Sequence, residues 1–364
     1  MKIPLTSPKL NIKKNHKQIL NAVSKVVNSD SYILGKEVNK FESKFSRYIG
    51  TKYAIGVANG SDAIELSLRA IGVKIGDEVI TVSHTAIGTV FAIEAIGAKP
   101  VFVDIEEQYF TMDPIKVKKA ITKKTKAIIA VHLYGNSVDI INLKKLCRSK
   151  KIYLIEDVSQ AHGAMYGKKK LGSIGDLGCF SCYPTKNLGA IGDAGIITTN
   201  KKKFADKLIK LREYGWRNRN SLIYGRNSRL DEIQAAILGV QLKSLEKDNF
   251  KRIKAAKYYD NNIKNPNIIL PKTRVGSKSV FHLYVIKTNI RDKIIKKLKN
   301  NNIITGIHYP TPIHKQGFYK NRKLNTKDLK ITEKISTQII SLPMYPEIKL
   351  EQLKKICYLL NSLN

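Results

Sequence analysis

The sequence lacks the features that mark membrane-spanning and secreted proteins. Its 364 residues contain no stretch approaching the ~20 uninterrupted apolar residues of a spanning helix. The first residues, MKIPLTSPKLNIKK, have no apolar core of the kind a signal peptide requires. These absences predict a cytoplasmic protein without a membrane partner. Hydrophobic residues at 43% and charged residues at 26% are near the globular average, which disfavours disorder as well.

Cysteine is scarce, with four residues in the chain. Cys179 and Cys182 form a C-x-x-C pair, but there is no second pair, and Cys147 and Cys357 stand alone. A zinc site would lack ligands, so we expect no metal centre. Two interpretations of the pair remain, a redox couple and two buried thiols in a reducing compartment, and the second is favoured.

Acidic residues are few beside basic ones, 29 against 65, which gives a formal net charge of +36. Taken alone, this excess suggests a nucleic-acid partner. The lysines are spread along the whole chain, however, and there is no basic tail, helix-turn-helix signature, zinc-finger spacing or RNA-binding aromatic motif. We therefore expect no nucleic-acid partner, and a positive field would instead help to recruit an anionic small substrate.

The first part of the chain alternates between two hydrophobic patterns. Short runs that are apolar at nearly every position, as in strands covered on both faces, are separated by segments of helical periodicity. The predicted strands are 53–58, 78–82, 100–103, 126–132, 151–157, 177–181 and 195–199. The predicted helices are 61–72, 86–98, 113–121 and 137–150. This alternation predicts an α/β domain with a mostly parallel sheet, whose functional groups gather at the carboxyl ends of the strands.

After residue 200 the pattern changes. Residues 230–263 predict one long helix or two in sequence, with Asp231 and Glu232 placed to suit the helix dipole. A break then precedes a smaller α+β segment, with a strand at 281–287 and helices from 291 and near 349–362. Since single cores stop growing at about 250–300 residues, we expect two domains. The predicted fold is a large three-layer α/β domain, residues 1–245, followed by a smaller C-terminal α+β domain, residues 246–364.

Two of the predicted strand-end loops carry groups that can bind a charged ligand. Asp157 ends the strand at 151–157, where a carboxylate is also an ordinary helix cap. Gly60, Ser61 and Asp62 begin a helix directly after a strand. Free N–H groups and the helix dipole make such a turn a site for phosphate or carboxylate, although ordinary helix caps have the same composition.

A third loop, SCYPTKNLGAIGDAG at 181–195, surrounds one lysine with small residues. Ser181 follows a buried-looking strand, Pro184 stiffens the approach to Lys186, and glycines clear the far side. Desolvation there would lower the lysine pKa from about 10.4 and leave a neutral amine for Schiff-base chemistry. Together with a carboxylate for a pyridine nitrogen and donors for a phosphate, this amine meets the requirements of pyridoxal phosphate.

The chain resembles the sugar-nucleotide aminotransferases of the DegT/StrS type, in the fold-type I, aspartate-aminotransferase-like superfamily of pyridoxal-phosphate enzymes. The resemblance covers nearly the whole length. It rests on ANGSDAIELSL, GDEVITVSHTAIGTV, IEDVSQAHGA, GSIGDLGCFSCYPTKNLGAIGDAG and GRNSRLDEIQAA, which occur in the family's order. It implies an enzyme that takes an amino group from L-glutamate and passes it, through pyridoxamine phosphate, to a nucleotide-linked keto-sugar.

The resemblance also implies roles for individual residues. Lys186 would form the Schiff base and, once released, act as the base, while Asp157 would bind the pyridine nitrogen. His84 would stack on the ring face and Gln160 would approach the ring hydroxyl. The remaining cofactor-binding residues would be Gly60, Ser61, Asp62, Ser181 and Asn227. The candidates on the substrate side are His162, Tyr183, His308 and Tyr309.

Asn227 is expected to reach the phosphate of the other subunit's cofactor, which implies an obligate homodimer with shared active sites. The motifs look most like the branch acting on dTDP-3-oxo-6-deoxyhexoses, and a rival branch aminates 4-oxo sugars. A regulatory protein with the same cofactor is a further alternative, because a fold does not fix a function. Dehydratases of the family carry histidine in place of Lys186, so this lysine favours a transaminase.

The sequence departs from the family pattern next to the SHT motif. The family usually has proline where this chain has Val82, and a larger aromatic or aliphatic residue where it has Ala86. A small residue at that place would widen the pocket above the cofactor ring.

Overall fold

The computed structural model describes residues 2–322 and 328–363. The helices are α1 (Pro8–Lys14), α2 (His16–Val27), α3 (Lys36–Ile49), α4 (Gly60–Ala70), α5 (Ile87–Glu94), α6 (Pro114–Ala120), α7 (Ile140–Lys150), α8 (Lys202–Leu211), α9 (Glu232–Gln241), α10 (Leu245–Asn262), α11 (Arg291–Asn300), α12 (Gly317–Lys320), α13 (Lys330–Gln338) and α14 (Leu350–Asn361).

Up to α8 the strands lie between helices along the chain, and after α8 they are fewer and mostly short. They are β1 (Tyr53–Val57), β2 (Glu78–Val82), β3 (Lys99–Val103), β4 (Thr125–Val131), β5 (Tyr153–Asp157), β6 (Met165–Tyr166), β7 (Lys169–Lys170), β8 (Leu177–Ser181), β9 (Gly195–Thr199), β10 (Trp216–Arg217), β11 (Asn220–Ser221), β12 (Ile268–Ile269), β13 (Ser277–Lys278), β14 (Tyr284–Thr288) and β15 (Ile339–Leu342). The predicted strands and helices are all present, with ends shifted by a few residues.

A seven-stranded sheet in the order β1-β9-β8-β5-β4-β2-β3 forms the centre of the molecule. Strands β3, β2, β4, β5 and β8 run parallel, whereas β9 is antiparallel to both of its neighbours, β8 and β1. The strands are buried at almost every position, because helices cover both faces of the sheet. The mostly parallel α/β fold predicted from the sequence is thereby confirmed.

The two largest hydrophobic clusters among the described residues lie in the two parts of the chain. The larger surrounds the central sheet, and the smaller joins α10, α11, α14, β14 and β15. The proposed boundary at 245/246 stays a prediction, since side chains beyond it, such as Leu283 and Ile335, belong to the larger cluster. Ile3, from the N-terminal segment, belongs to the smaller one.

The helical stretch at 230–263 forms two helices, α9 and α10, separated by a single 3₁₀ turn at Leu242–Ser244. Glu232 was expected to serve the dipole of its own helix. Its carboxylate instead accepts hydrogen bonds from the N–H groups of Glu37 and Val38, both at 2.9 Å, at the start of α3. Glu232 therefore fixes the N-terminal segment to α9.

Polar contacts fasten the C-terminal segment to the large sheet. Asp104, just after β3, accepts hydrogen bonds from the N–H groups of Ile331 and Thr332 at 2.9 and 2.8 Å and so caps α13. Ser83 Oγ, just after β2, lies 2.7 Å from His314 Nδ1. These contacts hold the segment around residues 308–314 beside the carboxyl ends of the strands.

Within the described ranges, no helix is long and apolar enough to cross a membrane, and the cytoplasmic location stays a prediction. All four cysteines are free and buried. Cys179 Sγ lies 3.2 Å from Ser67 Oγ, whereas Cys182 Sγ lies 4.0 Å from His162 Nε2. Both thiols of the C-x-x-C pair are therefore enclosed in the core, as the favoured interpretation expects.

Candidate active site

A cavity of about 540 Å³ lies at the carboxyl ends of the parallel strands. Seven of the predicted site residues line it: Gly60, Ser61, Asp157, Gln160, Ser181, Tyr183 and Lys186. Side chains that were not assigned a role from the sequence complete the wall, among them Asn59, Thr85, Thr89, His132 and Asp193. The three strand-end loops identified in the sequence thus meet in one place.

Lys186 sits in a tight turn after β8. Its N–H donates to the Tyr183 carbonyl at 2.8 Å, and a Cβ added to Gly189 would lie 2.5 Å from the Pro184 carbonyl oxygen, so the turn closes only with glycine there. Burial lowers the pKa of the Lys186 amine, although Asp157 and Cys182 act in the opposite direction. The neutral amine is therefore available at a lower pH than for an ordinary lysine.

The Asp157 carboxylate is buried at the end of β5 and lines the cavity. Its Oδ1 accepts the N–H of Ser159 at 3.1 Å, and its Oδ2 accepts the hydroxyl of Thr89 at 2.9 Å. A carboxylate has about four acceptor positions, so lone pairs remain for a cationic N–H group of a ligand.

Glu156 and His132 form a buried pair beside Asp157. Glu156 accepts hydrogen bonds from His132 Nε2 at 3.1 Å and from the N–H groups of Gly172, Ile174 and Gly175 at 2.9, 2.8 and 2.6 Å. Burial acts to raise the pKa of Glu156, but these donors outweigh it and the pKa is lowered. The charged carboxylate thus fixes the ring of His132, which lines the cavity.

The start of α4 forms a cradle of the size and chemistry of a phosphate group. Asn59 Oδ1 accepts the N–H of Asp62 at 2.9 Å and caps the helix. A Cβ on Gly60 would lie 2.5 Å from Ser181 Cβ, and one on Gly88 would lie 2.5 Å from Ser61 Oγ. Glycine at these two positions lets two hydroxyls and the helix N–H groups converge, which is how helix N-termini bind anions.

Asp62 does not line this cradle. Its Oδ2 accepts the hydroxyl of Ser228 at 2.7 Å, and its Oδ1 lies 3.6 Å from the Arg226 guanidinium. The carboxylate is therefore committed to the segment on either side of Asn227. Contact between Asp62 and a cofactor stays a prediction.

His84 does not line the cavity. Tyr134 donates its hydroxyl proton to the His308 carbonyl, so its oxygen accepts from His84 Nε2–H, 2.7 Å away. Burial lowers the pKa of His84 to about 4, which keeps the ring neutral. The residues of this loop that line the cavity are Thr85 and Ala86, and ring stacking by His84 stays a prediction.

The substrate-side candidates are not all at the cavity surface. Tyr183 lines the cavity and is half exposed. His162 is fully buried, and burial, followed by the nearby Lys186 charge, lowers its pKa to about 3. Tyr309 accepts a hydrogen bond from Gln160 Nε2 at 3.2 Å, while His308 Nδ1 lies 2.8 Å from Ser341 Oγ.

Asn227 is exposed and does not line the cavity of its own chain. The side chains on both sides of Asn227 contact α4, since Arg226 pairs with Glu65 and Ser228 donates to Asp62. The N–H groups of Arg226 and Ser228 donate to the carbonyls of Leu211 and Arg212, at 3.0 and 2.9 Å. The structure therefore presents this side chain outwards from a fixed position.

The cavity combines a buried lysine, a buried carboxylate and a helix-start anion cradle at the edge of a mostly parallel sheet. This combination fits an aminotransferase of the fold-type I class. The chain belongs to the DegT/DnrJ/EryC1/StrS aminotransferase family, whose model matches residues 13–361.

Similar proteins support this assignment along the whole chain. The dTDP-3-amino-3,6-dideoxy-alpha-D-galactopyranose transaminase of Aneurinibacillus thermoaerophilus is 44% identical, over 95% of each protein. The dTDP-3-amino-3,4,6-trideoxy-alpha-D-glucose transaminase of Micromonospora megalomicea subsp. nigra is 40% identical, over 93% of this chain and 92% of the relative. The crystal structure of S. venezuelae DesV in complex with a ketimine intermediate has a TM-score of 0.96, with 36% identity over 99% of this chain and 98% of DesV.

Proposed function

We propose that this chain transfers the amino group of L-glutamate to the 3-oxo group of a nucleotide-linked sugar, with pyridoxal 5′-phosphate as cofactor. The products are a 3-amino sugar nucleotide and 2-oxoglutarate, and the proposed acceptor is a dTDP-3-oxo-6-deoxyhexose. The observation that carries the proposal is the cavity shared by Lys186, Asp157 and the anion cradle of α4. The choice of the 3-position is supported by the two relatives, both transaminases of dTDP-3-amino sugars.

The residues of the cavity fit pyridoxal phosphate. The cavity volume of about 540 Å³ lies within the range of small-ligand sites, roughly 300–1,000 Å³. Gly60, Ser61 and Ser181 would hold the phosphate, and the close approaches at Gly60 and Gly88 keep that space free of side chains. Asp157 would pair with the ring nitrogen and Lys186 would supply the amine.

The bound cofactor supplies an electron sink for the pair of electrons left when an amino acid loses its α-proton. Lys186 Nζ, whose pKa is lowered by burial, would accept that proton in its neutral form and deliver it to the C4′ carbon of the cofactor. Asp157 would keep a proton on the ring nitrogen, which would make the sink effective. Gln160, held between the Tyr134 N–H at 2.8 Å and the Tyr309 hydroxyl, would orient the ring from its hydroxyl side.

The proposal includes a homodimer in which each subunit completes the other's site. Among the described residues on the cavity wall there is one lysine, Lys186, and no arginine, whereas glutamate and a nucleotide diphosphate are both anions. Asn227 is exposed and does not line its own cavity, and the surface near it carries exposed apolar side chains, including Leu222 and Tyr224. A second copy would cover this surface and bring Asn227 to the cradle of the first.

A panel of acceptors tests the substrate. The protein is incubated with L-glutamate and dTDP- or UDP-linked 3-oxo and 4-oxo sugars, and the products are identified by mass spectrometry and NMR. We expect a 3-amino sugar nucleotide and one 2-oxoglutarate per turnover. A 4-amino product would favour the rival branch of the family. Cofactor binding without turnover of any acceptor would instead indicate a regulatory protein.

A further inference from the structure

A chain of two threonine hydroxyls runs from the loop after β2 to the Asp157 carboxylate. Thr85 Oγ1 lies 3.1 Å from Thr89 Oγ1, and Thr89 Oγ1 lies 2.9 Å from Asp157 Oδ2. All three residues line the cavity and are buried, with exposures of 3%, 2% and 5%. No other residue of the cavity wall donates a side-chain hydrogen bond to Asp157 within the described ranges.

The direction of these hydrogen bonds follows from the proton count. An ionised carboxylate only accepts, so Thr89 must donate its one hydroxyl proton to Asp157. The Thr89 oxygen is then left as an acceptor, and the proton between the two hydroxyls comes from Thr85. The order is therefore Thr85 to Thr89 to Asp157.

Thr89 lies in the first turn of α5, which begins at Ile87. A threonine deeper in a helix commonly bonds back to the carbonyl four residues earlier, but for Thr89 that residue lies before the helix begins. Here the hydroxyl leaves α5 and crosses to the end of β5, while the N–H of Thr89 bonds to the Ala86 carbonyl at 3.2 Å. A hydroxyl has one proton to donate, and the hydrogen bond to the Asp157 carboxylate uses it.

The geometry points to Thr89, supported by Thr85, as the positioning residue that orients Asp157 toward the cofactor's ring nitrogen. This inference rests on the proposed function, since it requires pyridoxal phosphate in the cavity. Ser159 N–H at Oδ1 and Thr89 Oγ1–H at Oδ2 hold both carboxylate oxygens, so the plane of the group is fixed before the cofactor arrives. Loss of the Thr89 hydroxyl frees one oxygen and lets the plane rotate away from the ring.

Two properties of the bound cofactor report on this orientation. A proton held on the ring nitrogen withdraws electron density from the nitrogen that joins the cofactor to Lys186 and lowers its pKa. A misaligned Asp157 holds the ring proton less well, so the pH at which the visible absorbance changes moves upwards. The cofactor also loses part of a charge-assisted contact and binds more weakly.

The experiment compares Thr89→Val, Thr89→Ser and Thr85→Val with the wild type. Each protein is loaded with pyridoxal phosphate, its visible absorbance is titrated with pH, and the dissociation constant of the cofactor is measured. For Thr89→Val we expect an upward shift of the absorbance midpoint and a dissociation constant raised by about tenfold. Thr89→Ser keeps a hydroxyl and should stay near the wild type, and Thr85→Val should shift less, in the same direction.

The outcomes separate this inference from the proposed function. A wild-type protein that never shows the cofactor absorbance contradicts the proposed function itself. A normal wild type with an unchanged midpoint and dissociation constant in Thr89→Val overturns the role of Thr89. If Thr89→Val does not fold, as judged by thermal unfolding, Thr85→Val decides. An upward shift in that variant supports the hydroxyl chain, and its absence contradicts it.

Discussion

Two regions of the molecule differ in how far their polar groups are buried and paired within one chain. The first is the cavity floor, formed by Lys186, Asp157, Thr89 and Ser159, and the second is the surface arm, residues 213–230. On the floor, buried polar groups find partners within one chain, so the reacting groups are held without outside help. In the arm, Asn227 is exposed and Tyr224 is 78% exposed, although the side chains of Arg226 and Ser228, on either side of Asn227, contact α4. In the proposed function the chemistry therefore depends on groups held within one chain, whereas the site is completed by an exposed residue of a second copy.

The largest expected effect is on the floor. In Lys186→Ala the base and the covalent anchor are both lost, so transamination should fall by at least about 10³-fold. Glutamate-dependent formation of 2-oxoglutarate measures it. Lys296→Ala, which removes an exposed lysine of α11, is the matched control and should keep full activity. Equal losses of activity in both variants would show that Lys186 contributes no more to transamination than another of the 65 basic residues.

The second effect concerns the carboxylate of the same floor. Asp157→Asn keeps the size of the side chain but cannot hold a proton on the ring nitrogen, so the half-reaction with glutamate should slow by about 10²-fold. Stopped-flow absorbance of the loaded protein follows this step without any sugar. Asp206→Asn, at an exposed carboxylate of α8, serves as the control. An unchanged rate in Asp157→Asn would place the ring nitrogen against another group.

The arm is tested by mixing subunits. Asn227→Ala should weaken cofactor binding by about tenfold, since one hydrogen bond to a phosphate is lost. In mixed dimers of Asn227→Ala and Lys186→Ala chains, one site of the two has both residues intact. When equal amounts of the two chains pair at random, half of the dimers are mixed, and each mixed dimer has one intact site of two. About a quarter of the wild-type activity should therefore return. Activity no higher than that of the separate variants would mean that Asn227 does not act on the partner's site.

The smallest effect is on stability. Burial lowers the pKa of Lys186, so this lysine holds its proton more tightly in the unfolded chain than in the folded one. Burying the lysine therefore lowers the free energy of unfolding at neutral pH. Lys186→Met should therefore be more stable than the cofactor-free wild type. The difference should shrink as the pH rises from the lowered pKa of Lys186 towards that of an ordinary lysine. Urea unfolding across this range measures it, and a pH-independent difference would contradict a depressed lysine pKa.

The central sheet, and the meeting of Asp157 and Lys186 at one cavity, could be predicted because both depend on local pattern. Strands covered on both faces are apolar at nearly every position. Asp157 ends one of them and Lys186 follows another, and the carboxyl ends of these two parallel strands meet at one edge of the sheet. Glycines and a proline beside Lys186 marked it among many lysines.

The remaining parts of the site depend on contacts between distant segments. The family resemblance implies that His84 stacks on the cofactor ring, which stays a prediction. The hydrogen bond of His84 to Tyr134, 50 residues away, could not be read from the sequence, and Thr85 and Ala86 are the residues of this loop that line the cavity. Thr89 was not singled out, since a threonine in a first helical turn is ordinary until Asp157 is placed beside it. Asp62 has the composition of a helix start, and only its contact with Ser228 ties it to the arm.

The location of the covalent link to the cofactor tests the account most directly. The protein loaded with pyridoxal phosphate is reduced with borohydride, digested and sequenced by mass spectrometry. The account predicts one stable pyridoxyl group per chain, on Lys186, and none in Lys186→Ala. A label on any other lysine, or a wild type that takes up no label, would contradict it.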